Sequence, residues 1–241
     1  MFHPQIEDHY HETGFDIFYI PLRKERKIYT QCPLCNAIKV EDLYLSTINT
    51  VILFNKYPVT KDSKLLVDRK HTETISKDYF NGLYRQIKED DLIGLYDDVS
   101  TMSVPGHVHV ELLPRRYLRL GLNDFEFNCG SDFFIYQDYH VPLLVLSRIE
   151  YFLFKNIFVK LKKLDLCFNI LFLKDRILFH FLRGYPESGV APRKGLGAKE
   201  CVGIFSTSDY EKYLSLKDCM KETLINGSYN LKECEEVLRM V

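Results

Sequence analysis

A strict alternation, His107-Val108-His109-Val110-Glu111-Leu112, constrains this chain more than any other feature. Side chains two apart on a β-strand share a face. The spacing therefore predicts a strand with His107, His109 and Glu111 in one polar row, backed by the apolar row Val108, Val110 and Leu112. Proline cannot donate to a ladder, so the strand is expected to stop before Pro114. Two readings of the row follow: a pair of structural histidines, such as two metal ligands, or the polar face of a chemical site.

Other segments have the signature of the same sheet. Thr50–Phe54 is a short apolar strand, Asn55-Lys56-Tyr57-Pro58 a turn, and Lys64–Val67 a second strand leading to Asp68-Arg69-Lys70-His71. Ile75, Phe80, Leu83, Ile87 and Leu92 recur at near-helical spacing, which predicts an amphipathic helix over Ser76–Ile93 with Ser76 as its cap. Beyond residue 123, Phe133–Tyr136, Leu143–Leu146, Cys167–Leu173 and Arg176–Leu182 have strand composition, with Lys174-Asp175 as a two-residue turn. A helix is expected over residues 147–163, a strand over Cys201–Phe205 and a helix from Ser208 to Thr223. Residues 1–31 show no clear periodicity. The fold class is α+β: an antiparallel sheet with flanking helices. The order of elements after residue 121 loosely echoes that of 1–120, so the chain divides into two halves, 1–120 and 121–241, as a decayed duplication would.

Composition excludes several function classes. The 32 Lys and Arg residues nearly cancel the 33 Asp and Glu residues, so no global field draws nucleic acid or an anionic membrane. An anionic ligand must be held by a local site. Arg115-Arg116-Tyr117 and Arg119 form a small basic and aromatic patch, too narrow to track a phosphate backbone. The longest apolar runs, around 141–159 and 164–182, are interrupted by charges such as Arg148, Glu150 and Asp175, unlike a membrane span. Seven cysteines, an odd number, behind a start with no signal-like pattern lead to the expectation of reduced thiols and a cytoplasmic protein.

Cys32-Pro33-Leu34-Cys35 places two soft ligands on one tight turn. Alone, such a knuckle could equally be a redox pair or two buried thiols. His71 and His107 are the candidates that would complete a tetrahedral set. Two thiolates and two imidazoles would close the coordination shell, making the ion structural and its binding part of the folding free energy. His71 has an ordinary alternative as a solvated residue in Arg69-Lys70-His71, and Cys129, Cys167, Cys201, Cys219 and Cys234 read as core or surface thiols.

The segment Ser103-Val104-Pro105-Gly106-His107-Val108-His109-Val110-Glu111 resembles the His-x-His-x-(His/Gln) strand of the histidine-triad superfamily. Its spacing is closest to the branch holding galactose-1-phosphate uridylyltransferase and diadenosine tetraphosphate phosphorylase. Asn55-Lys56-Tyr57-Pro58, Leu65-Leu66-Val67-Asp68-Arg69-Lys70-His71 and the Cys32–Cys35 knuckle resemble further family motifs, in the family's order, across residues 32–115. After residue 120 the similarity is diffuse, with an Ala-x-Glu-x-x-Gly echo in residues 198–203.

The resemblance implies a histidine-triad-like fold and structural zinc on Cys32, Cys35, His71 and His107. It makes His109 a nucleophile that forms a nucleotidyl-imidazole, sets Asn55 near the ribose and lets Ser103 contact a phosphate oxygen. Arg193 and Lys194, in the loop Gly184–Gly197, are candidates for a phosphate clamp, the plain alternative being a solvated connection. The implied activity is nucleotidyl transfer or phosphorolysis of a nucleotide sugar or dinucleoside polyphosphate. Hydrolysis, or nucleotide binding without turnover, is the alternative. Relatives are often homodimers, although no segment here dictates that assembly.

One position departs from the family. Glu111 stands where His or Gln is usual, and an ionised carboxylate repels a phosphate where those residues would donate a hydrogen bond. Burial could keep it protonated, it could orient His109 through an imidazole N–H, or the site could have drifted to another activity. Orientation of His109 is physically the cheapest.

Overall fold

The computed structural model describes residues 8–12, 15–20, 32–40, 45–46, 49–55, 58, 60, 62–98, 104, 106–118, 132–137, 139–183 and 196–241. In chain order the elements begin with β1 (Asp8–Glu12), β2 (Phe15–Tyr19), α1 (Pro33–Val40), β3 (Leu45–Ser46), β4 (Thr50–Phe54) and β5 (Lys64–Asp68). Helix α2 (Lys77–Glu89) precedes β6 (Leu92–Asp97), β7 (His109–Pro114) and a short 3-10 turn at Arg115–Tyr117. The second half supplies β8 (Phe133–Tyr136), β9 (Leu143–Leu146), α3 (Tyr151–Lys163), β10 (Phe168–Phe172) and β11 (Ile177–Phe181). It ends with α4 (Ala198–Cys201), β12 (Ile204–Thr207), α5 (Tyr210–Lys217), α6 (Met220–Asn226) and α7 (Leu231–Met240).

Nine strands form one antiparallel sheet in the order β3-β4-β5-β7-β6-β10-β11-β9-β8. The sequence order β4-β5-α2-β6-β7 recurs as β8-β9-α3-β10-β11, and the spatial orders of the two units are mirror images across the β6–β10 seam. The seam pairs Gly94 with Phe172, Leu95 with Leu171, Tyr96 with Ile170 and Asp97 with Asn169.

Both faces of the sheet are covered. On one side Tyr79, Phe80, Leu83 and Ile87 of α2 and Phe154, Ile157, Phe158 and Leu161 of α3 pack on the strands, joined by Cys234 and Val237 of α7. The Tyr79 hydroxyl donates to the Leu66 carbonyl at 2.7 Å, tying α2 to β5. On the other side lie α4–α6 and a small sheet in which β2 pairs antiparallel with β1 and parallel with β12. Near the β4 edge this side is covered instead by α1, through Leu34 against Val51, Leu53 and Val67. Strands buried on both faces lose their alternation and read as apolar runs, as β10 and β11 do with every residue buried.

The structure departs from the sequence reading at several elements. The helix expected to run to Ile93 stops at Glu89, because Asp91 takes a left-handed backbone (φ 49°) and turns the chain into β6. Gly94 lets α2 lie close to this strand: a Cβ there would stand 3.0 Å from Val110 Cγ1 and 3.3 Å from Leu83 Cδ1. Pro114 is the last residue of β7 rather than the residue after it, paired opposite Leu92. The strand expected at Cys201–Phe205 is split into the end of α4 and β12, and the helix from Ser208 to Thr223 is broken into α5 and α6 around Asp218-Cys219. Among the described residues no helix is long and apolar enough to cross a membrane.

His180, on β11, is fully buried. Its Nε2–H donates to Ser228 Oγ at 2.7 Å, while Ser228 donates to the Leu224 carbonyl; among the described residues no hydrogen-bond partner meets His180 Nδ1. Burial pushes this imidazole's pKa from the usual 6.5 down to about 3. The folded chain thus holds His180 neutral where the unfolded chain protonates it, so stability falls as pH drops below 6.5 and keeps falling until about 3. In urea denaturation between pH 6 and pH 4 (roughly 1.4 kcal/mol lost per pH unit from this group alone), His180→Gln is expected to lose stability less steeply than the parent. Parallel pH slopes for the two proteins would contradict this account.

Candidate functional site

The knuckle is the opening turn of α1. Pro33 occupies the first helical position, where its missing N–H costs nothing, and Asn36 N–H donates to the Cys32 carbonyl at 3.3 Å. Both sulfurs thereby sit at the helix start, and Leu34 anchors them against β4 and β5. The chain leaving β5 runs beside the chain entering β7: Asp68 N–H donates to the Val108 carbonyl at 3.3 Å and Val108 N–H to the Thr72 carbonyl at 2.7 Å. Gly106, with φ +80°, makes the left-handed turn that swings His107 into place.

These contacts converge on four ligand atoms. Cys32 Sγ lies 3.2 Å from His107 Nδ1, and Cys35 Sγ lies 3.5 Å from the same nitrogen and 3.4 Å from His71 Nδ1. All four donor atoms fall within 4.8 Å of one another. Around an ion with bonds near 2.0–2.3 Å, tetrahedral ligand atoms stand roughly 3.3–3.8 Å apart, so the cluster could bind a metal ion. His107 Nε2–H donates to the Asp68 carbonyl at 2.7 Å, which leaves Nδ1 as the lone-pair nitrogen facing the sulfurs. Burial, together with His71 and His109 nearby, lowers the basicity of His107. Burial, then the adjacent Cys32, raises the Cys35 thiol pKa, a penalty that a cation between the sulfurs would reverse.

The other described cysteines join no such cluster. Burial raises the thiol pKa of Cys201, and that of Cys234 to about 12, as expected of core-filling thiols. Cys129 lies outside the described residues.

His109 opens β7 opposite Val67, and is 9% exposed. Its Nδ1–H donates to the His107 carbonyl at 2.8 Å. With that nitrogen committed, Nε2 carries the lone pair. Burial lowers the pKa of His109, against the raising effects of its backbone hydrogen bond and the Glu111 charge, while the Lys199 charge lowers it further. The result is a neutral imidazole with one nucleophilic nitrogen.

Glu111 is held by three donors. Asn55 Nδ2 reaches Oε1 at 2.9 Å, Ser63 Oγ donates to the same oxygen at 2.5 Å, and Lys199 Nζ lies 3.0 Å from Oε2. Asn55 directly follows β4 and Ser63 directly precedes β5; Asn55 N–H donates to the Ser63 carbonyl at 3.3 Å, so one hairpin delivers both side chains to the neighbouring strand. Asn55 also donates to Ser63 Oγ at 3.0 Å. Lys199 comes from α4, whose start is fixed to the sheet seam: Asp97 accepts from Ala198 N–H at 2.6 Å and Asn169 donates to the Leu196 carbonyl at 2.8 Å. The orienting bond on His109 is therefore made by the backbone of His107, while Glu111 gathers Asn55, Ser63 and Lys199.

The structure thus brings Cys32, Cys35, His71 and His107 together, and sets Asn55 on Glu111 two residues along the strand from His109. Ser103, Arg193 and Lys194 lie outside the described residues. Sequence reasoning missed Ser63, Lys199, Asp97 and Asn169. Only Lys199 carried any signal, inside the Ala-x-Glu-x-x-Gly echo.

A histidine-bearing central strand thus lies beside a four-ligand cluster, on a sheet of two units in mirrored strand order. Solved structures with this fold include yeast Ap4A phosphorylase Apa2. Its complex with Ap4A is 16% identical over 95% of this chain and 91% of the other, with a TM-score of 0.63. Its complex with AMP is 16% identical over 94% and 89%, with a TM-score of 0.64. What is shared at this identity is the fold. No family model matches the sequence, and no curated protein matches it.

Metal analysis of the purified chain is expected to give about one divalent ion per molecule, the number a single closed four-ligand site holds. Cys35→Ser and His71→Ala are each expected to lose that ion and to melt at lower temperature. Metal-free protein with the same melting temperature before and after chelation would remove the cluster as a metal site.

Proposed function

We propose that the protein is a nucleotidyltransferase or phosphorylase acting through a covalent nucleotidyl-His109 intermediate. The observation that carries this reading is the commitment of His109 Nδ1–H to the His107 carbonyl, which leaves Nε2 as the nucleophile on a neutral ring. In the first half-reaction Nε2 attacks the α-phosphorus of a bound nucleotide. The N–P bond forms as the P–O bond to the leaving group breaks, and its electron pair departs on the bridging oxygen. In the second, an acceptor oxygen displaces the imidazole and the N–P electron pair returns to Nε2. The Nδ1–H bond persists throughout and steadies the cationic ring of the intermediate.

The substrate class is a dinucleoside polyphosphate or nucleotide sugar. The fold shared with a phosphorylase solved with Ap4A and AMP supports trying adenine nucleotides first. Ser103, Arg193 and Lys194 are assigned to the phosphates and Asn55 to the rim beside the ribose. We assign zinc to Cys32, Cys35, His71 and His107, because two sulfurs and two imidazole nitrogens suit that ion in a closed shell. When bound it would supply rigidity, locking α1 to the turn that aims His107 and hence the carbonyl that orients His109. The mirrored strand order supports reading the chain as two histidine-triad-like halves, with the boundary near residue 120.

Incubation with Ap4A, ATP and UDP-glucose followed by intact-mass measurement is expected to show one added nucleotidyl group. The adduct should be acid-labile, as a phosphoramidate is, and absent in His109→Ala. Products formed with and without added phosphate then separate phosphorolysis from hydrolysis. If none of these nucleotides, with or without added divalent ion, modified the wild-type chain, covalent transfer would be ruled out for this panel and a binding role without turnover would replace it.

A further inference from the structure

Glu111 and Lys199 form a pair that changes the electrostatics of the site. A carboxylate on the histidine row, by itself, repels an incoming phosphate. Here its Oε2 faces the Lys199 ammonium at 3.0 Å, and the two side chains are only 12% and 14% exposed. Opposite charges cancel, so the row presents no net repulsion. An ammonium has three N–H donors, and one bond to Glu111 leaves two for other acceptors. Asn55 and Ser63 already satisfy the other carboxylate oxygen, so Glu111 is fixed as a holder and has no hydrogen to give in its ionised state.

We propose that Lys199, carried from the second half of the chain and held over the histidine row by Glu111, binds the polyphosphate leaving group of the nucleotide. Glu111 and His109 are two residues apart on β7, about 7 Å along the strand, so the ammonium lies within the span of a short polyphosphate whose α-phosphorus meets His109. As the P–O bond breaks, the bridging oxygen gains negative charge and Lys199 neutralises it, with no proton transferred. Low exposure makes the cation more effective than it would be in bulk water. The position is set by structure on both sides: Asp97 and Asn169 fix the start of α4 to the seam strands, and a hydrogen bond from Gly197 N–H to Glu200 caps the turn on which Lys199 stands. The assignment rests on the nucleotidyl-histidine reading for its chemistry, but not for its binding.

The test uses the full-length chain and its Lys199→Met and Lys199→Arg variants, with melting temperatures to confirm that each is folded. Binding of inorganic tripolyphosphate by calorimetry needs no reaction at His109. Lys199→Met is expected to weaken it at least about tenfold, the usual scale for one charge-assisted contact, and Lys199→Arg to recover most of the loss. For chemistry, adduct formation from Ap4A should slow about 100-fold in Lys199→Met. Adduct formation from adenosine 5′-phosphorimidazolide, whose leaving imidazole carries no negative charge once protonated, should be nearly unaffected. Tripolyphosphate binding equal in wild type and Lys199→Met, or absent from both, overturns the assignment. So does an equal rate loss with both adenylyl donors. A wild type that binds tripolyphosphate through Lys199 yet forms no adduct sinks only the transfer reading.

Discussion

Pairing of β6 with β10 is the constraint on which the rest of this structure depends. It joins two strand–strand–helix–strand–strand units edge to edge, so that one continuous sheet replaces two exposed edges. At one end of the seam Asp97 and Asn169 stand opposite each other, both turned to polar duty at the start of α4. This carries Lys199 across from one unit to Glu111 in the other. The seam therefore does more than bury hydrocarbon: it makes the histidine row a shared product of both units.

Two backbone carbonyls set the chemistry of the two histidines. The Asp68 carbonyl takes Nε2–H of His107 and frees Nδ1 toward the sulfurs; the His107 carbonyl takes Nδ1–H of His109 and frees Nε2. The same residue type on the same face thus presents opposite nitrogens, one suited to a metal and one suited to attack. Backbone acceptors do this without adding charge, which in a buried site would need its own partner. The second unit keeps the frame without these features. Its β11 has a single histidine, His180, whose Nε2 pairs with Ser228, and the one metal-competent cluster among the described residues belongs to the first unit.

What was legible in the sequence was whatever local spacing encodes. The alternation around His109 identified a strand and its polar face, the Cys-x-x-Cys turn identified two closely placed ligands, and the helical apolar spacing after Ser76 identified α2 and its cap. Strand β6 was not legible, because it is buried on both faces and follows the helical apolar spacing of α2 without a Gly or Pro to mark the break. The N-terminal hairpin was hidden for a related reason: β2 is completed by β12, nearly 190 residues away, and no local pattern records that partner. Glu111 could be flagged as unusual from its position, but its partners Asn55 and Ser63 come from the β4–β5 hairpin and Lys199 from α4, more than 80 residues further along the chain.

By itself, then, the order of residues determined the strand type of β4, β5 and β7 and the helical type of α2, the residues able to ligate a metal, and which histidine stands on the row beside them, since period-2 and short-turn geometry are properties of adjacent residues. Tertiary structure alone decided the mirrored sheet, the tautomer of each imidazole and the neutralisation of Glu111 by Lys199. Those depend on carbonyls, donors and charges brought close in space by strand pairing, and Coulombic and hydrogen-bonding energies follow distance in space rather than distance along the chain.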